Sequence, residues 1–195
     1  MTKHTPIPLT ETEEKIIDAA TRCFVRFGAR KTSMNDIASD AGVSRQTIYD
    51  LFGGKDELIC AAIRKITDHN LAEVRRLAGA HETLGEKLNV YFAQTIVKSF
   101  EMIATAGDPE DLITGHNKAG KAEIARSHAR HEELVAEFLT PYENALKTAG
   151  LTAMSQAHFL VTVAMGFKYG AADRTDLDQL LRDLKINCLA LLDAA

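Results

Sequence analysis

The chain has 195 residues, of which 46% are hydrophobic and 26% charged, and its formal net charge is −4. This composition excludes a disordered chain and favours one or two domains. No apolar run approaches the roughly 18 residues that a membrane span requires, and no apolar stretch follows the basic residues of the N-terminal region, so we expect no membrane partner, no secretory signal and a cytoplasmic location.

Charge is unevenly distributed along the chain. Residues 1–65 carry ten Lys or Arg against nine Asp or Glu, or +1, whereas residues 66–195 carry thirteen against eighteen, or −5. The sign of this asymmetry fits a DNA-binding N-terminal region, here called the head, followed by a more acidic region. Because +1 is a small charge, the head is expected to bind DNA weakly as a monomer, and dimerisation would then be part of the function.

Helical signals follow one another along the chain. Thr10 and Glu13 have the spacing of a capping box, Gly28 predicts the end of that first helix, and Ser33 and Ser44 predict the starts of two short helices. Further helices are predicted over residues 55–79, 84–106, 121–149, 155–171 and 176–192, with a short segment after Pro109. Strand signals are almost absent, so the sequence predicts an all-α fold. The three cysteines, Cys23, Cys60 and Cys188, lie in apolar helical patterns typical of buried thiols in a reducing compartment.

The stretch from Ser33 to Leu51 has the pattern of a helix-turn-helix. Ala38 is small where two steeply crossing helices approach, and Gly42 stands where a left-handed backbone is needed. The residues expected to share one core are Ile37, Ala41, Val43, Ile48 and Leu51, completed by Phe24 and Phe27. An ordinary helical hairpin would account for the glycine alone. The complete set of positions favours DNA binding.

From about Glu13 to Leu58 the chain resembles the N-terminal domain of the TetR/AcrR family of bacterial transcriptional repressors. The matching residues are Ile17, Ala20, Phe24, Gly28, Thr32-Ser33, Asp36-Ile37-Ala38, Ala41-Gly42-Val43-Ser44, Tyr49-Asp50-Leu51-Phe52 and Lys55-Asp56-Glu57-Leu58. Gly53-Gly54 departs from the family, which commonly has a capping side chain there.

The resemblance implies a three-helix helix-turn-helix domain over residues 1–54 and a larger helical ligand-binding and dimerisation domain over residues 55–195. A helix that starts near residue 55 would connect the two. The resemblance further implies a homodimeric repressor that binds a pseudo-palindromic double-stranded DNA operator and is released by a small-molecule effector. The sequence also leads us to expect no cofactor and no bound metal.

Eight residues are candidate DNA contacts. At the start of the recognition helix, Arg45 suits guanine or phosphate, Gln46 suits adenine, and Thr47 suits thymine or phosphate. The resemblance implies a phosphate contact for the Tyr49 hydroxyl, and Lys55 would hold another phosphate beside a helix N-terminus. The complete set is Thr32, Ser33, Ser44, Arg45, Gln46, Thr47, Tyr49 and Lys55.

The last two predicted helices carry apolar stripes. An intramolecular core and a dimer interface would both produce such stripes, but two operator half-sites favour a dimer through these helices. In the resembled family the middle helices enclose a small-molecule effector. Candidate lining residues, each with ordinary core packing as the alternative, are Tyr91, Phe92, Phe100, Met102, Ile113, His116, Phe138, Tyr142 and Phe167.

Two other functions compete with this interpretation. His128 and His131, near Glu132, would bind zinc in an enzyme if His116 supplied a third ligand, although surface histidines on a charged helix are far commoner. A helical adaptor for protein partners is the second alternative, but such a protein does not need the hydrogen-bond donors suited to DNA that lie between Arg45 and Lys55. The sequence therefore predicts a DNA-binding regulator without enzymatic activity.

Overall fold

A computed structural model describes residues 9–108 and 118–193, and within these ranges it contains helices and no strand. The α-helices are α1 (Glu11–Phe27), α2 (Met34–Ala41), α3 (Arg45–Phe52), α4 (Lys55–Ala78), α5 (Leu84–Tyr91), α6 (Lys98–Ala104), α7 (Lys118–Leu139), α8 (Glu143–Thr148), α9 (Ala153–Gly170) and α10 (Arg174–Asp193). A π-helix, Phe92–Val97, joins α5 to α6, and a 3₁₀ turn, Thr140–Tyr142, joins α7 to α8. The all-α prediction is confirmed. Pro109, Ile113 and His116 lie outside the described residues.

Side-chain caps set the starts of the first three helices where the sequence placed them. Thr10 and Glu13 form a capping box at α1, and Ser33 and Asp36 form another at α2. At α3 the Ser44 hydroxyl accepts a hydrogen bond from the Thr47 backbone N–H at 3.0 Å. Each cap satisfies an N–H group that the helix itself leaves without a partner.

Two long predicted helices are interrupted in the structure. The predicted helix over residues 84–106 contains the π-helix, and the predicted helix over residues 121–149 breaks at the 3₁₀ turn. Pro141 explains the second break, because proline has no N–H to continue the α-helical hydrogen bonding. No helix within residues 9–108 and 118–193 has both the length and the apolar character needed to cross a bilayer.

The chain divides into two compact units, Met1–Lys65 with Thr105–Glu123 and Ile66–Ala104 with Ile124–Ala195. The division lies within α4, the helix that the sequence predicts to start near residue 55 and to connect two domains. The first turns of α4 belong to the first unit because Leu58 and Ile59 are buried in its core.

The core of the first unit lies between α1, α2, α3 and the start of α4. Ile37 and Ile48 are fully buried in it, as predicted. The prediction is wrong for Phe27 and Leu51, whose side chains are 41% and 43% exposed. Phe27 is the last residue of α1 and lies beyond the part of the helix that packs on the core. At the end of α3, Phe52 packs on the core in place of Leu51, because it lies one turn after the buried Ile48.

The core of the second unit includes residues of α4 to α10. Its fully buried side chains include Tyr91, Leu134 and Leu177. The predicted stripe of α10 lies in this core, where Leu177, Leu181, Leu184 and Cys188 are buried. The α10 stripe is therefore intramolecular. Cys23, Cys60 and Cys188 are buried and form no disulfide, as predicted.

A short segment after α6 packs against the C-terminal end of α1 within the first unit. The Gly107 N–H donates to the Val25 carbonyl at 3.1 Å, and Lys31 pairs with Asp108 at 2.8 Å. A Cβ atom added to Gly107 would lie 1.9 Å from the Arg26 carbonyl oxygen. Only glycine therefore fits this approach without movement of the backbone.

Gly107→Ala is expected to lower the free energy of unfolding by about 1–3 kcal/mol, because the methyl group overpacks a backbone contact. Urea unfolding of the full chain measures this. Gly54→Ala is the matched control in the same unit, since an added Cβ meets no atom within 4 Å there, and its expected cost is below about 1 kcal/mol. Equal stability of the two variants would contradict the proposed contact.

Candidate DNA-binding interface

The turn between α2 and α3 has the geometry of a helix-turn-helix. Gly42 ends α2 in the left-handed conformation, with φ 67° and ψ 32°, and its N–H donates to the Ala38 carbonyl. The same carbonyl accepts the Val43 N–H at 3.1 Å. Ala38 is buried, which allows the two helices to approach closely. These contacts set the direction in which α3 leaves the turn.

The outer face of α3 carries three of the eight predicted DNA contacts. Arg45, Gln46 and Tyr49 are exposed, whereas Ile48 on the opposite face is fully buried. The Arg45 guanidinium lies 5.6 Å from the centroid of the Tyr49 ring, and the Gln46 amide donates to Asp50 at 2.8 Å. The first two turns of α3 thus present a cation, an amide and a phenol on the exposed side of the helix.

Two predicted contacts, Ser44 and Thr47, serve chiefly to cap α3. Their hydroxyl oxygens lie 2.9 Å apart, and Thr47 is half-buried. Both remain at the surface beside Arg45. If these hydroxyls contact phosphate, they must therefore do so while also taking part in the cap of α3.

The start of α2 is occupied by a carboxylate. The Ser33 hydroxyl and N–H both donate to Asp36, at 2.6 and 2.8 Å. These hydrogen bonds hold the pKa of the Asp36 carboxyl below its ordinary value. A phosphate approaching the exposed Ser33 would meet this negative charge, which weakens the case for Ser33 as a contact.

Thr32 and Lys55 stabilise the loop between α1 and α2. Thr32 is 1% exposed, and its hydroxyl lies 2.7 Å from the Gly28 carbonyl oxygen and 3.1 Å from that of Cys23. The structure therefore does not present the Thr32 side chain to DNA. The half-buried Lys55 ammonium donates to the carbonyls of Ala29, Arg30 and Thr32, at 3.0, 3.4 and 3.1 Å. Sequence reasoning missed this loop-closing role, and the Lys55 phosphate contact remains a prediction.

Comparisons with known proteins cover this interface and extend beyond it. Residues 16–62 match the family of bacterial regulatory proteins described as the tetR family. The HTH-type transcriptional regulator TtgR of Pseudomonas putida is 36% identical over 87 residues, which are 44% of this chain but only 41% of TtgR. The HTH-type transcriptional regulator BetI of Brucella anthropi is 30% identical over 140 residues, covering 69% of this chain and 72% of BetI.

The chain belongs to the TetR family. It is therefore a DNA-binding transcriptional regulator of the helix-turn-helix type. A solved structure of the fatty acid degradation regulator FadR from Bacillus halodurans has a TM-score of 0.70 and 18% identity, covering 95% of this chain and 97% of that one. The fold of this TetR-family chain is thus shared over nearly its whole length.

The candidate effector-lining residues of this TetR-family regulator lie in its second unit where they are described. Tyr91 and Phe92 are buried in the core. Those half-buried against the same core are Phe100, Phe138, Tyr142 and Phe167. Met102 is also half-buried, while Ile113 and His116 lie outside the described residues.

One histidine of α7, His131, is buried, whereas the sequence favoured a surface position for it. His131 is 3% exposed, and burial, followed by the charges of its neighbours, lowers its pKa to about 3. The ring is therefore neutral at physiological pH. No group of three or more His, Cys, Asp or Glu side chains within residues 9–108 and 118–193 is arranged to hold a metal ion.

An apolar face of α9 in this TetR-family regulator points away from the core of its unit. Phe159 and Tyr169 are 53% and 52% exposed. Gly166, between them on the same face, has no atom within 4 Å of an added Cβ. On α10, Ile186 is similarly exposed. These side chains, rather than the buried stripe of α10, are available to a partner.

Proposed function

We propose that this regulator is a cytoplasmic homodimeric repressor that binds a pseudo-palindromic operator and leaves it when a small effector binds the second unit. The observation that carries the proposal is the outer face of α3, with Arg45, Gln46 and Tyr49 exposed over a buried Ile48. A recognition helix in the major groove needs such a face, because the N-terminal residues of that helix reach the base edges.

Arg45 carries the largest share of the proposed contact. Its guanidinium can donate two parallel hydrogen bonds to guanine, or it can pair with phosphate while Tyr49 supports the side chain. Gln46 and Thr47 would read neighbouring positions, and Ser44 would hold phosphate. Lys55 would contribute partly through its ammonium and partly by holding the loop before α2.

Dimerisation follows from the proposed operator and from the free face of α9. Phe159 and Tyr169 of α9 and Ile186 of α10 are exposed apolar side chains that a second copy would cover, and Gly166 would let the two α9 helices approach closely. Two heads would then meet half-sites about 34–36 Å apart, or a multiple of that spacing. The weak charge of one head supports the need for two.

Effector release would be a shift between two populations. In one state the spacing of the two heads fits the two half-sites, and in the other it does not. A ligand that binds the second state more tightly lowers operator affinity, and the loss is set by the ratio of its affinities for the two states. The family of this chain supports such coupling between its two units.

Selection of bound sequences from random double-stranded DNA tests the proposal. We expect an enriched motif with two-fold symmetry, and we expect Gln46→Ala to relax the preference at one position of each half-site. Lys147→Ala, on the exposed surface of α8, is the control and should leave the motif unchanged. Enrichment of no motif, or of one without symmetry, would contradict the proposed operator.

A further inference from the structure

Gln46, on the exposed face of α3, is held by a carboxylate one turn later in the same helix. Its side-chain nitrogen Nε2 donates to Oδ1 of Asp50 at 2.8 Å, and both side chains are exposed. Residues four apart are neighbours on an α-helix, so this hydrogen bond runs along the surface of α3. Arg45 and Tyr49 are paired over the same spacing, with the guanidinium 5.6 Å from the ring centroid. Both side chains at the start of α3 therefore have a partner one turn later.

The Asp50 carboxylate determines which way the Gln46 amide faces. A carboxylate accepts hydrogen bonds and donates none, so the amide must turn its NH₂ group toward Asp50. One N–H bond of that group is used in this contact. The carbonyl oxygen Oε1 and the second N–H remain available, and together they offer one acceptor and one donor side by side. Without the carboxylate, rotation of the amide would exchange these two groups at little cost.

Adenine is the base whose major-groove edge matches this arrangement. It presents the N6 amino group as a donor beside N7 as an acceptor, whereas guanine presents two acceptors, cytosine a donor, and thymine an acceptor with a methyl group. An amide with Oε1 and one N–H held toward the groove would form two hydrogen bonds with adenine. With each of the other bases the same orientation would form at most one.

Asp50 has a cost that this role explains. A carboxylate on the face of α3 that meets DNA is repelled by the phosphate backbone, so it lowers affinity for every sequence. Orientation of a base-reading amide gives the same carboxylate a favourable effect that depends on sequence. Its presence would then increase the difference in affinity between the correct operator and other DNA, even though it weakens binding in general.

We propose that Asp50 determines operator specificity by positioning Gln46, and that each half-site has an adenine where this pair meets the major groove. Asp50 acts through the Gln46 amide and does not contact the base itself. The inference rests on the proposed entry of α3 into the major groove. It adds the residue that orients the reader and the base that one position selects.

Affinity measurements on altered operators test this role in the full-length protein. The starting operator is the sequence selected by the unaltered chain, and the altered forms carry each other base, in both half-sites, at the position that Gln46→Ala relaxes. A bidentate contact discriminates by at least about fivefold, so the unaltered chain should prefer adenine by about 25-fold or more over two half-sites. Asp50→Ala should reduce this preference by about fivefold or more, measured by fluorescence anisotropy.

Asp50→Asn separates orientation of the amide from charge. Asparagine keeps an oxygen that accepts from Gln46 but has no charge, so it should keep the adenine preference within about twofold and bind all DNA more tightly. In a Gln46→Ala background, Asp50→Ala should change the preference at this position by less than about twofold, because the side chain it orients is gone. Glu14→Ala removes an exposed carboxylate of α1 in the same unit and is the control that should keep the preference.

An unchanged preference in Asp50→Ala, or an equal loss in Asp50→Asn and Asp50→Ala, would overturn the inference. Preference for a base other than adenine at the Gln46 position would also overturn it. Relaxation of a different position by Asp50→Ala would do the same, because Asp50 would then read a cytosine amino group directly. These outcomes leave the docking of α3 intact. If Gln46→Ala relaxed no position at all, the proposed docking and this inference would both be wrong.

Discussion

Replacing Arg45 with alanine is expected to weaken operator binding by about 100-fold. The exposed guanidinium stands at the start of α3, and a bidentate contact to guanine contributes about 1–3 kcal/mol. A dimer loses the contact in both half-sites, and each loss of about 1.4 kcal/mol corresponds to a factor of ten. Fluorescence anisotropy with the selected operator, at several salt concentrations, measures the loss.

The salt dependence distinguishes the two roles open to Arg45. A phosphate contact in each half-site would reduce the slope of log affinity against log salt by about 1.8, since each contributes about 0.9. A base contact would leave that slope nearly unchanged and would lower affinity for the operator more than for random DNA. Both results agree with a groove-facing α3.

Arg76→Ala is the matched control for Arg45→Ala. Arg76 is an exposed arginine of α4 that pairs with Glu73 at 2.7 Å, so its removal costs the same formal charge in the second unit instead of on α3. It should change operator affinity by less than about threefold, because exposed ion pairs are worth about 0–1 kcal/mol. If both variants kept full affinity, α3 would not be the helix that enters the groove.

Phe159→Glu should convert the dimer to monomers and lower operator affinity by at least about 100-fold. Two-fold symmetry would place two new carboxylates in one apolar interface, where burial of unpaired charge is costly. The monomer should stay folded, because Phe159 is 53% exposed and lies outside the core of its unit. Analytical ultracentrifugation measures the oligomeric state, and thermal unfolding checks the fold.

Met154→Glu is the control on the same helix. Met154 is 48% exposed but lies in the first turn of α9, rotated away from Phe159 by about 140° at about 100° per residue. The dimer should survive this change. A Phe159→Glu variant that remained dimeric at micromolar concentration would exclude the α9 face as the interface.

Local signals were sufficient to predict the architecture of the head. The caps at Thr10, Ser33 and Ser44 and the left-handed Gly42 depend on residues within one helical turn of each other, so they can be read from spacing alone. The exposure of Arg45 and Gln46 followed from the same register. The same spacing did not predict which residue packs on the core at the end of α3, where Phe52 rather than Leu51 does so.

Features that join distant parts of the chain were beyond such reasoning. The three carbonyls around Lys55 precede it by more than 20 residues, and Gly107 meets α1 across about 80 residues of sequence. The burial of His131 depends on Tyr91 in another helix. The spacing of residue types along the sequence does not reveal such contacts, because they depend on loop closure and tertiary packing.

The first unit includes residues that lie far apart in the sequence, and this affects when the unit can fold during synthesis. The segment that includes Gly107, and the buried Glu123, whose carboxylate pairs with Arg64 at 2.8 Å, emerge from the ribosome long after α1 to α3. The DNA-binding unit therefore reaches its complete packing only when synthesis has passed residue 123. A fragment cut after Lys65, or a graft of residues 1–65 onto another regulator, would leave Lys31 and Arg64 without these partners and would fold less stably than the same residues in the whole chain.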